Sequence, residues 1–174
     1  MLGDYVQLRP SFNSLWHRYQ DKRSVAAGIT DGNRCALVLG LALGPGYEPR
    51  AGEISFQQLR QPTLPFQKGV HPAIEGAEVL NRFYVRSDEM ARRLIDEWGA
   101  PAKFQGSATF DAVHGKKGVI FVKNGFRTHH GGHDSHIDLW NGVQMGSWHN
   151  PDASEQTYRG LFERADEVWF WQFP

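Results

Sequence analysis

Gly131-Gly132-His133-Asp134-Ser135-His136-Ile137-Asp138-Leu139-Trp140-Asn141-Gly142 reads as a glycine-rich approach, a strand and a turn. Asn-Gly supplies the positive φ that a type I′ hairpin needs at both central positions. The spacing therefore predicts a hairpin from His136 to about His149 with a two-residue turn. Leu139 and Trp140 before it, and Val143 and Met145 after it, are apolar residues that two pairing strands would supply. Period-two alternation puts His136, Asp138 and Trp140 on one face and Ile137 and Leu139 on the other. A face carrying histidine and aspartate is meant for something other than hydrocarbon.

The partner for that face is the chain's single cysteine. Cys35 opens the run Cys35-Ala36-Leu37-Val38-Leu39-Gly40-Leu41-Ala42-Leu43, which is apolar nearly all round and ends at Gly44-Pro45-Gly46. Such a run predicts a central buried helix. A thiol in its first turn lies where free backbone N–H groups and the positive dipole end favour a thiolate. As a core residue Cys35 would be only a small hydrophobe. Its place at the helix start, after a turn and cap signature in Asp31-Gly32-Asn33, points instead to a nucleophile.

A cysteine and a distant histidine are the two parts a thiol hydrolase requires, and a third polar group must orient the imidazole. Asp138 is the choice for it, about 7 Å along the strand at the backbone. Ser147, opposite His136 across a two-residue turn, and then His149 or Asn150 are the other groups in range. A rival use of the stretch is a zinc site from His129, His130, His133, Asp134 and His136. Its spacing matches no helical histidine pair, and a glycine loop preorganises ligands poorly, so neither a metal nor another cofactor is assigned.

The remaining elements place this pair in an α+β fold. Phe12, Leu15, Trp16 and Tyr19 recur at helical spacing and predict a helix to about Lys22, with Ser11 or Asn13 as its cap. Tyr47 to Ala77 is Pro-, Gly- and Gln-rich and reads as a long substrate-facing loop. Arg82 to Val85 predicts a short strand. Ser87-Asp88-Glu89-Met90 predicts a serine-capped helix ending at Gly99, with Met90, Leu94, Ile95 and Trp98 inside. Val119 to Lys123 predicts a central strand after a Gly115–Gly118 turn, Glu155 to Ala165 a helix, and Glu167 to Phe173 a final apolar strand. Helices come first and sheet later, which is the order of an α+β domain with an antiparallel sheet. Trp140 reads as core, and Arg92-Arg93 and Lys116-Lys117 as exposed charges.

At 174 residues one domain, 1–174, is expected. Nineteen basic residues balance nineteen acidic ones, so bulk charge points to no nucleic-acid partner. A single cysteine leaves no internal disulfide. No apolar run approaches the roughly 20 residues of a membrane span, and Met1-Leu2-Gly3-Asp4-Tyr5 does not open a signal peptide, so the expected site of synthesis is the cytoplasm without membrane insertion.

Arg9-Pro10-Ser11-Phe12-Asn13, Asn33-Arg34-Cys35-Ala36, Gly115-Lys116-Lys117-Gly118-Val119-Ile120, His136-Ile137-Asp138-Leu139-Trp140-Asn141-Gly142 and Val168-Trp169-Phe170-Trp171-Gln172-Phe173-Pro174 occur in this order over nearly the whole chain. Together they resemble the fourth family of type VI secretion amidase effectors. The resemblance implies an NlpC/P60-type, papain-like cysteine peptidase, delivered by the type VI secretion machinery into the periplasm of a rival cell. There it would hydrolyse the γ-D-glutamyl–meso-diaminopimelate bond of peptidoglycan stem peptides, and a cognate immunity protein would block the cleft. Cys35 matches the family nucleophile and His136 its base. One departure is that the family's acidic residue lies after the hairpin, where Ser147 stands here. A silent peptidoglycan- or partner-binding module on the same scaffold is the alternative, followed by a zinc hydrolase.

Overall fold

The computed structural model describes residues 9–27, 35–50, 84, 86–127, 131–147 and 153–174. Helices α1 (Phe12–Ala27), α2 (Cys35–Leu43) and α3 (Ser87–Trp98) come first. The short strand β1 (Ala102–Phe104) and helix α4 (Thr109–Val113) lead into strands β2 (Gly118–Arg127) and β3 (His133–Trp140). Helix α5 (Glu155–Arg164) and strand β4 (Glu167–Gln172) complete the described fold. The sheet is antiparallel throughout, in the order β1-β4-β2-β3. The α+β class holds.

Helices cover both faces of the sheet. Val119, Phe121, Ile137, Leu139 and Trp171 pack with the buried residues of α1, α2 and α3. Ile120, Val122, Trp140, Val168 and Phe170 pack with Phe110 and Val113 of α4 and with Tyr158, Leu161 and Phe162 of α5. Strand β2 is inner and buried on both sides, which is why Val119-Ile120-Phe121-Val122 shows no alternation. The split in β3 between Ile137 and Leu139 on one side and Trp140 on the other is the one its periodicity predicts.

Helix α2 is buried along nearly its whole length and stops at Gly44, whose φ of 86° suits glycine. Helix α1 runs five residues beyond Lys22, and Ser11 Oγ accepts from the backbone N–H of Ser14 at 3.3 Å as its cap. Trp140 is core: fully buried, with its indole N–H donating to Val113 O at 3.0 Å.

Three expectations need correction. The partner of β3 is β2, and only an isolated bridge, Trp140 to Met145, follows the Asn-Gly turn. Asn141 does not adopt positive φ. Its side-chain oxygen accepts from the backbone N–H groups of Val143 and Gln144, both at 2.9 Å, and the loop widens to four residues. Ser87 lies inside α3, and its hydroxyl donates to Ser135 O at 2.9 Å instead of capping. Arg93 is not a free surface charge: its side chain is 12% exposed, pairs with Glu97 and donates to Gly46 O, tying α3 to the end of α2. The predicted strand at 82–85 and the loop at 47–77 lie mostly outside the described residues.

Candidate active site

The first residue of α2, Cys35, is buried, and its thiol lies within hydrogen-bond reach of the His136 imidazole. Strand β3 is an edge strand, so groups from the helical layer can meet its side chains around the rim. Ring nitrogen Nε2 of His136 is 3.1 Å from Asp138 Oδ2, which leaves Nδ1 as the nitrogen free to work on a thiol. Sulfur, imidazole and carboxylate thus form one chain, drawn from a helix start and an edge strand.

Asp138 is fully buried, a costly place for a carboxylate unless hydrogen bonds surround it. Oδ1 accepts from Leu139 N at 2.7 Å and from Ser147 N at 3.2 Å. Oδ2 accepts from Ser147 N at 3.0 Å and from Ser147 Oγ at 2.5 Å, beside its contact with His136. Burial alone would raise the pKa of Asp138, but hydrogen bonding and the charge of His136, then the Ser147 hydroxyl, hold it below the usual carboxylate value. Burial would likewise lower His136, yet the neighbouring Cys35 and the Asp138 carboxylate raise it to about 10. The pair favours a charged imidazolium beside the sulfur.

Ser147 reaches this position because of the widened turn. With Trp140 bridged to Met145, the residue opposite Asp138 is Ser147, and its Oγ stands 3.2 Å from His136 Nε2 as well. Helix α1 holds the segment in place, since Gln20 Nε2 and Arg23 Nη1 both donate to Gly146 O, at 3.3 and 2.9 Å. The fully buried Tyr19 hydroxyl faces the same carboxylate without closing a hydrogen bond of ordinary geometry. Burial first, then the charge of Asp138, pushes the Tyr19 pKa well above its ordinary value. A Cβ on Gly146 would crowd this ring, falling 3.1 Å from Tyr19. The helical spacing of α1 marks Tyr19 as a core residue, and nothing in the sequence marks it as a neighbour of the site.

A register break in the β2–β3 ladder shapes the other side of His136. Val122 pairs with His136, but the next pair is Phe126 with Asp134. Asn124, at φ 55°, takes up the extra length, and the Phe126 ring comes within 4.9 Å of the imidazole. Of the alternative zinc set, His129 and His130 lie outside the described residues, and His133 Nδ1 engages Asn124 O at 3.2 Å. No cluster of three or more metal-ligating side chains occurs among the described residues. His149 and Asn150 also lie outside them.

A family model, type VI secretion system amidase effector protein 4 (Tae4), matches residues 32–171. The chain belongs to the Tae4 family. Solved structures of Tae4 proteins share the fold. Tae4 from Salmonella typhimurium, solved with the immunity protein Tai4 from Enterobacter cloacae, is 22% identical with a TM-score of 0.56, covering 95% of this chain and 100% of that one. The Tae4–Tai4 complex from Enterobacter cloacae gives 18% identity and a TM-score of 0.59, covering 96% and 100%. No curated protein matches the chain. As a Tae4 effector with a buried cysteine at its helix start, the chain is a cysteine-type amidase. Within the Tae4 fold of this chain the carboxylate beside the imidazole comes from β3, and Ser147 braces it from across the turn.

Proposed function

We propose that this Tae4 protein is an NlpC/P60-like peptidase that hydrolyses the γ-D-glutamyl–meso-diaminopimelate bond of peptidoglycan stem peptides, with Cys35, His136 and Asp138 as its catalytic residues. The observation that carries the reading is the continuous contact from the thiol through the imidazole to a buried, hydrogen-bonded carboxylate. The Cys35 thiolate attacks the amide carbonyl, and backbone N–H groups of the first turn of α2 stabilise the oxyanion. The imidazolium gives its Nδ1 proton to the leaving amine. The neutral ring then takes a proton from water as that water attacks the acyl-enzyme, which frees the carboxylate product and regenerates the thiolate. Asp138 keeps Nε2 protonated and the ring oriented throughout.

The same membership supports a reading of where the protein acts. Delivery by the type VI machinery into the periplasm of a recipient cell, and inhibition by a cognate immunity protein, are part of the proposal. They are supported by the family match and by the Tae4–Tai4 complexes among the solved relatives. The described helices include none long and apolar enough to cross a membrane.

Digestion of purified sacculi tests the proposal. Mass spectrometry should find new D-glutamate carboxyl and diaminopimelate amino termini with the wild-type protein and none with Cys35→Ala. Products cut at another bond would refute the assigned specificity. Tight binding of sacculi without products, unchanged in Cys35→Ala, would show a binding module instead.

A further inference from the structure

Phe126, whose ring lies against His136, also lines a cleft of about 340 Å³, together with Gly125, Arg127, Leu161 and Arg164. The cleft lies between β2 and the end of α5, on the sheet face opposite α2. Its inner surface is apolar, with Leu161 buried and Phe126 half-buried, while Arg127 and Arg164 are exposed. Arg164 sits in the last turn of α5, where a cation suits the helix dipole. That accounts for one arginine at this spot but not for a second one facing the same hollow from a different element. Neither guanidinium forms an ion pair with a carboxylate among the described residues, whereas Arg50, Arg92, Arg93 and Arg159 all do.

A mostly apolar cleft with two arginines in its lining is complementary to an aliphatic arm ending in a carboxylate, which arginine binds through paired N–H donors. We infer that this cleft is a substrate subsite, taking a carboxylate-bearing arm of the peptide next to the scissile amide, with Phe126 as the wall shared with His136. The inference rests on the amidase reading above and adds the recognition element to it. Arg127 and Arg164 act here on binding and take no part in the chemical step.

The test compares an L-Ala-γ-D-Glu-meso-diaminopimelate-D-Ala peptide with the same peptide carrying amidated carboxylates. On the free-carboxylate peptide, Arg127→Gln with Arg164→Gln should raise KM by roughly tenfold or more while kcat stays within about twofold, the size expected for losing charge-assisted hydrogen bonds. On the amidated peptide, wild type and double variant should have the same KM. An unchanged KM on the free-carboxylate peptide would overturn the subsite. Calorimetric binding of the same peptides to Cys35→Ala, with and without the arginine substitutions, gives a readout that needs no turnover. Weaker binding of only the free-carboxylate peptide supports the subsite even if wild type cleaves neither peptide, a result that would remove the amidase specificity alone. Equal binding, or none, removes the subsite.

Discussion

Ser147 has no charge, yet it touches both the imidazole and the carboxylate of the proposed catalytic chain. Its hydroxyl donates to Asp138 Oδ2 and so favours the ionised carboxylate. Removing that donor in Ser147→Ala should let the Asp138 pKa climb, because the hydroxyl is one of the groups that lower it. The acid limb of the pH profile of kcat/KM should then move to higher pH, with a loss of activity of about tenfold, the range for a hydrogen bond to a charged group. The backbone N–H of Ser147 stays in place and limits the loss. Asp138→Asn should cost far more, roughly 10³- to 10⁴-fold in kcat, since an amide presents a donor to Nε2 and stabilises the wrong tautomer. Peptide kinetics from about pH 4 to 9 check both substitutions. An unmoved acid limb in Ser147→Ala would mean that the contact is structural only.

Strand β2 carries the mechanical load at the scale of elements, because it pairs with β3 on one side and β4 on the other. Its first residue, Gly118, is opposite Trp140 and Gln172 in these two ladders. A Cβ there would fall 2.4 Å from Trp171 O and 2.7 Å from the Phe170 ring, so backbone would have to move. Gly118→Ala should destabilise the protein by about 1–3 kcal/mol, the cost of overpacking a filled core. Equilibrium urea denaturation measures it as a lower midpoint at unchanged slope. The end of the strand nearest the site behaves differently. There the break in register between Val122 and Phe126 brings an aromatic ring to His136, and the ladder resumes beyond it.

Taken whole, the molecule is a sheet between two helical layers, and its site is assembled across one edge of that sandwich. Tyr19 and Cys35 come from the first layer, His136 and Asp138 from the sheet, and Ser147 from the segment after it. No covalent link among the described residues holds these pieces together, since the single cysteine is free. Amidase activity and tryptophan fluorescence should therefore be lost with the same urea midpoint, as expected for one cooperative unit. Activity lost well before fluorescence would show that α1 and α2 detach from the sheet independently.

Much of this was legible in the chain because it rests on local chemistry. An apolar run of nine residues with glycine and proline beyond it can only be an inner helix, and its position exposes Cys35 as the residue at the start. The β-branched run at Val119–Val122 announces a strand buried on both faces, and alternation after His133 separates Ile137 and Leu139 from Trp140. What sequence could not determine is whatever depends on which strand pairs with which. Asn141-Gly142 looks like a two-residue hairpin, but the neighbour β3 needs is β2, whose long ladder outweighs a local turn preference. Once that pairing is made, the Asn141 side chain is free to brace a wider loop, and Ser147 comes to face Asp138. Residue types and their periods thus determine the thiol, the imidazole and the elements that carry them. The arrangement of the groups around Asp138 belongs to tertiary structure, because hydrogen-bond partners far apart in the chain compete for it only after the sheet has formed.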